Sequence, residues 1–92
     1  MSGGRRPESA MSTIMRSGPY RFFCYAADIR EPPHVHVGKG GAEAKRWLDP
    51  IVEDWNTGFN SSQRRKIRDI LFEQQHRMLE RWYEARGQSF DP

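Results

Sequence analysis

Apolar and polar positions alternate with a period of two from about Thr13 to Trp55, and then change to a helical period between Ile67 and Tyr83. In the first region, Tyr20, Phe22 and Cys24 fall on one side of a run whose other side holds Arg21, Phe23 and Tyr25. Successive strand residues point to opposite faces, so this run is substantially apolar on both sides, as an interior strand is. Thr13–Arg16 is a shorter strand candidate, ended by the turn Ser17-Gly18-Pro19, where glycine supplies unusual φ and proline cannot donate to a ladder.

After a loop at 27–33, Pro32-Pro33 holds the backbone extended as it leads into His34-Val35-His36-Val37-Gly38. Lys39-Gly40-Gly41 turns the chain back into 42–48, which predicts a hairpin. In this pairing His34 and His36 share a face with Glu43, Lys45 and Trp47, while Val35, Val37, Ala44 and Leu48 face the core. A slip of one residue would invert the second strand's contribution. Asp49-Pro50 breaks the run, and 51–55 supplies one more short strand before Asn56-Thr57-Gly58.

Asn60-Ser61-Ser62-Gln63 then opens a helix, with Asn60 or Ser61 as N-cap and Gln63 placed to reach back. Its apolar stripe is Ile67, Ile70, Leu71, Met78, Leu79, Trp82 and Tyr83, and Gly87 stops it. The prediction is an α+β fold: a small antiparallel sheet of four to five strands with one long C-terminal helix packed on one face. Residues 13–88 form this single domain, 1–12 are a disordered tail with Met11 as an alternative start, and 89–92 are a C-terminal tail.

A chain of 92 residues buries only about 60 to 65% of its unfolded surface, so the core is thin. Three Trp, three Tyr and five Phe argue against a disordered chain despite a hydrophobic content of 36%. No run reaches the roughly 20 apolar residues of a membrane span, and one cysteine, Cys24, cannot form an internal disulfide. The expectation is a cytoplasmic protein without a membrane partner. Of the net charge of +3, residues 12–60 contribute nothing, with six basic and six acidic side chains. Residues 61–86 carry seven basic against four acidic, which points to an acidic partner, either nucleic acid or protein.

The blocks Thr13-Ile14-Met15-Arg16, Tyr20 to Tyr25, Glu31-Pro32-Pro33-His34-Val35-His36-Val37 and Gly41 to Leu48 together resemble a family of small bacterial proteins, a domain of unknown function (DUF4160). The resemblance covers roughly 13–83 and implies a small protein often encoded beside another, a toxin component of a toxin–antitoxin pair. It carries no catalytic assignment, so chemistry must be argued from the residues.

His34 and His36 are two imidazoles on one face. A metal-independent ribonuclease needs a base, an acid and a cation for the phosphorane charge. His34 and His36 are the candidates for the proton transfers, with Lys45 as the catalytic cation. Arg21 and Lys39 are candidate phosphate contacts, and Tyr25 and Trp47 candidate stacking platforms. The alternative is that the histidines are exposed or hydrogen-bonded strand residues without chemistry. A zinc site needs a third ligand, for which Glu43 is the nearest candidate. His76 falls on the helix's polar side and Cys24 in an apolar strand, so no metal is assigned.

Arg64, Arg65 and Arg68, with Lys66, crowd the helix's first turns, where the macrodipole disfavours cations. They are a further candidate binding surface, for RNA phosphate or for an acidic protein. No phosphate loop, nucleophile elbow, Cys-x-x-Cys pair or dinucleotide fingerprint occurs, and no cofactor is expected. Three functions stay open: an RNA-directed toxin, cleaving or only binding, held by a cognate antitoxin; a non-enzymatic module docking a small acidic protein through its basic helix; and, behind these, a metal-binding regulator.

Overall fold

The computed structural model describes residues 11–26 and 30–87. The proposed N-terminal and C-terminal tails lie largely outside these residues. Five strands, β1 (Met11–Ser17), β2 (Tyr20–Tyr25), β3 (His34–Lys39), β4 (Ala42–Leu48) and β5 (Ile51–Thr57), precede one helix, α1 (Ser61–Ala85). The strands form one antiparallel sheet in the order β1-β2-β3-β4-β5, a meander in which every chain neighbour is a sheet neighbour. The α+β architecture read from the sequence is the one observed. Pairing carries β1 back to Met11 and β5 on to Thr57, beyond the stretches where alternation is visible.

The helix lies on the face that presents Tyr20, Phe22, Cys24, Val35, Val37, Ala44 and Leu48. Its buried residues are Ile67, Leu71, Met78, Leu79 and Trp82, with Ile70 and Tyr83 at the margin, as the helical spacing predicts. Asn60 is the N-cap: its Oδ1 accepts from Gln63 N–H at 2.8 Å, and Gln63 Oε1 accepts from Asn60 N–H at 3.0 Å. Polar contacts from the middle and last turns of the helix fasten it to the sheet. Gln75 Nε2 donates to the Leu48 carbonyl at 2.7 Å and Arg81 Nη1 to the Ile14 carbonyl at 3.1 Å.

The link from β5 to the helix is set by Asn56, whose side chain donates to the Phe59 carbonyl at 2.9 Å and accepts from its N–H at 3.2 Å. This turn drops Phe59 into the core, while Trp55, one residue before Asn56, stays on the opposite face. Gly58 has φ of 101°, and a Cβ there would stand 3.0 Å from that of Ala42, so a side chain is excluded twice over. Among the described residues, no helix is long and apolar enough to cross a membrane.

Candidate functional site

The register of the β3–β4 hairpin fixes which side chains share a face. His34 pairs with Trp47, His36 with Lys45 and Gly38 with Glu43, so these six lie together on the side away from the helix. β2 adds Phe23, opposite His36, and β5 adds Trp55, opposite Lys45. The face expected from the sequence therefore forms, without a register slip. The helix packs on the opposite side of the sheet.

Its centre is not the exposed polar surface that the alternation suggests. His34 is 0% exposed and His36 only 6%. The cause is the density of rings around them. His36 stacks on Phe23 (centroids 5.6 Å apart, 21° between planes) and meets Tyr25 edge-on at 4.7 Å and Trp55 at 5.9 Å. His34 stands edge-on to His36 and to Trp47, each at 5.5 Å. The β2–β3 pairing runs only from Arg21↔Gly38 to Phe23↔His36, and His34 lies beyond its last rung. There its ring also approaches Trp82 of the helix, at 6.4 Å. Pattern alone could not disclose this burial, because imidazole packs as a flat ring as readily as it projects into water.

Each histidine has a polar neighbour. A carbonyl only accepts, so His34 Nδ1–H donates to the Pro32 carbonyl at 2.9 Å, and Nε2 stands 3.8 Å from Glu31 Oε1. His36 Nδ1 faces Glu43 Oε2 at 3.3 Å, and the same oxygen accepts from the Tyr25 hydroxyl at 3.4 Å. Lys45 is also buried rather than a free clamp. Its Nζ lies 2.5 Å from Glu31 Oε1, 3.7 Å from Asp54 Oδ2 and 4.6 Å from the centre of the Trp47 ring. Two carboxylates and a π face already compensate its charge. No group of three or more His, Cys, Asp or Glu side chains converges among the described residues.

Solvent meets this face elsewhere. Arg21, Tyr25, Lys39 and Glu43 line a shallow cleft of about 440 Å³ at the β2–β3–β4 end. Arg21 donates through Nε to Thr13 Oγ1 at 3.1 Å and lies 5.1 Å from the centre of the Phe23 ring. Gly38 makes room for that ring, since a Cβ there would come within 3.3 Å of its Cε1. At the other end Pro32, Trp47, Pro50 and Val52 enclose an apolar hollow of about 330 Å³. Between the two stands Trp55, 40% exposed. Trp55 is a ring on this face that the candidate site read from the sequence did not include.

The arginines of the helix do not join this surface. Arg46 pairs with Val35 and so points to the helix side, where it lines a further cavity, of about 370 Å³, with Glu53, Ser61, Arg64, Arg65 and Arg68. The substrate surface expected from sequence thus divides between opposite faces of the sheet. Glu53 is the hub of this helix-side cavity. It accepts from Arg46 Nη2 at 3.1 Å, from Arg64 Nε at 3.0 Å and from Arg64 Nη2 at 2.6 Å. The hydrogen bonds from Arg64 hold its carboxyl below the ordinary value, against its partial burial, and the charge of Arg46 adds to the effect. Burial lowers the pKa of Arg46; Glu53 opposes that effect, and Arg64 and Arg68 reinforce it. Sequence reasoning missed Arg46 and Glu53. The bulge that shifts register opposite Lys45 and Arg46 is what turns Glu53 toward the helix, and no local pattern announces it.

A family model described as a domain of unknown function (DUF4160) matches residues 20–83, from the start of β2 to the last turns of α1. No curated protein and no solved structure matches the chain. The stretch matched takes in the paired histidines, the arginine-lined cavity and most of the core, and the chain belongs to this family of unknown function.

Proposed function

We propose that this protein is an RNA-binding toxin component of a bacterial toxin–antitoxin pair, acting in the cytoplasm, and that it engages single-stranded RNA on its helix-free sheet face without cleaving it. The observation that carries the binding is the order of groups across that face: a cleft with Arg21 and Lys39, then Tyr25 and the exposed Trp55, then Trp47 over an apolar hollow. An antiparallel sheet with one face bare, aromatic and rimmed by cations suits splayed bases, which stack on rings while phosphates meet the cations. No cofactor enters this reading.

Binding is favoured over cleavage because the groups that a ribonuclease would use are engaged inward. A base must come within hydrogen-bond reach of the 2′-hydroxyl, and His34 has no surface from which to do so. Lys45 already holds two carboxylates. The toxin role rests on the family resemblance, and the partner in such a pair would be a small acidic protein. Expression of the chain alone in bacteria tests it. Growth should stop, and Tyr25→Ala/Trp55→Ala should restore it without loss of protein level. Normal growth with the wild-type chain, or specific RNA cleavage by the purified protein, would contradict the reading.

A further inference from the structure

We infer that the cavity between β5 and the first turns of α1 is a docking site for carboxylate side chains of an acidic protein partner. The inference rests on the acidic partner of the reading above and is independent of RNA binding, which was placed on the opposite face.

Four guanidinium groups, of Arg46, Arg64, Arg65 and Arg68, line this cavity against one carboxylate, Glu53. The helix has no acidic residue in its first turn to offset them. Arg46 is 5% exposed, and its Nη2 donates to Glu53 Oε1 and to the Arg64 carbonyl at 3.2 Å, yet among the described residues its buried Nε has no acceptor. A buried donor left over beside an excess of positive charge marks a site with fewer acceptors than it is built to meet.

Glu53 shows which ligand chemistry the site takes. Arg64 grips it through both Nε and Nη2, the parallel two-point geometry in which a guanidinium fits a carboxylate. Arg65 and Arg68 stand one turn apart at the exposed mouth, and neither is committed in the same way. Among the described residues Arg68 meets only its neighbour Asp69, at 3.8 Å between two exposed side chains. A partner's Glu or Asp would repeat with these two arginines the contact that Glu53 makes with Arg64. Buried Arg46 supplies fixed positive charge beneath.

The test titrates the full chain with a fluorescein-labelled oligoglutamate peptide at physiological ionic strength, reading anisotropy. Arg65 and Arg68 are exposed, so Arg65→Lys/Arg68→Lys keeps both fold and charge while removing the fork. The wild-type chain should bind the peptide, and the lysine variant should bind about tenfold more weakly. The Nε–Hε signals of Arg65 and Arg68 should shift on binding. Equal affinity in the lysine variant would overturn the inference, leaving only a diffuse basic face. Displacement of the peptide by inorganic phosphate or oligouridylate at lower concentration would also overturn it, since the site would then be one for phosphate. Failure of RNA binding on the open face touches neither result.

Discussion

Lys45 Nζ lies 2.5 Å from Glu31 Oε1, which ties the segment leading into β3 to the middle of β4. The same glutamate oxygen stands 3.8 Å from His34 Nε2, so the exposed carboxylate that braces the buried lysine also lies beside the buried histidine. Glu31→Gln should destabilise the fold by about 1–2 kcal/mol, a value reduced from that of a fully buried pair because Glu31 reaches solvent and Asp54 remains near Lys45. Thermal melts would read this as a fall of roughly 4–8 °C per kcal/mol. Adding Lys45→Met to Glu31→Gln should recover part of the loss, because the stranded charge is gone. A double variant less stable than Glu31→Gln would show that Lys45 contributes more than charge.

Glu53 gives a pH dependence with a definite sign. Arg64 and Arg46 hold its folded-state pKa below the unfolded value, so its ionised form favours the native state. That contribution is complete above the unfolded carboxylate pKa and is lost as pH falls through the depressed folded one. Glu53→Gln should therefore cost about 2 kcal/mol at neutral pH, where it leaves buried Arg46 short of a counter-charge. The gap from wild type should close in acid. Urea unfolding across the acid range checks this, and a gap that stays constant with pH would contradict it.

Leu71 and Phe72 are adjacent in the helix, one buried in the core and the other on the outside. Leu71→Ala should cost about 3 kcal/mol, the lost transfer energy together with that of the cavity left beneath the sheet. Phe72→Ala should change stability by no more than about 0.5 kcal/mol despite the larger side chain. Chemical denaturation of the two variants separates the outcomes.

These contrasts show what the sequence could disclose. The helix stripe from Ile67 to Tyr83 and its cap at Asn60 were readable because both depend on local spacing. The β3–β4 register was readable because Val35 and Val37 must be buried and Gly40-Gly41 leaves room for little but a tight turn. The burial of His34 was not readable. It depends on how early β2 and β3 part, and on Trp82 arriving from far along the chain. Nor could spacing reveal that Arg64 faces away from Arg21, because a bulge in the last hairpin decides where Glu53 and its arginines meet. Local rules find the elements, and long-range packing decides which of their polar groups remain available to a ligand.

The most direct measurement is the anisotropy of labelled oligouridylate titrated with purified protein, comparing wild type with Trp55→Ala, Tyr25→Ala and His36→Ala. If the helix-free face binds RNA by stacking, Trp55→Ala and Tyr25→Ala should each weaken binding by about 1–3 kcal/mol. His36→Ala should act on stability, with the RNA remaining uncut throughout. Binding that is absent in the wild type, or unchanged in both aromatic variants, would contradict the assignment of this face to RNA.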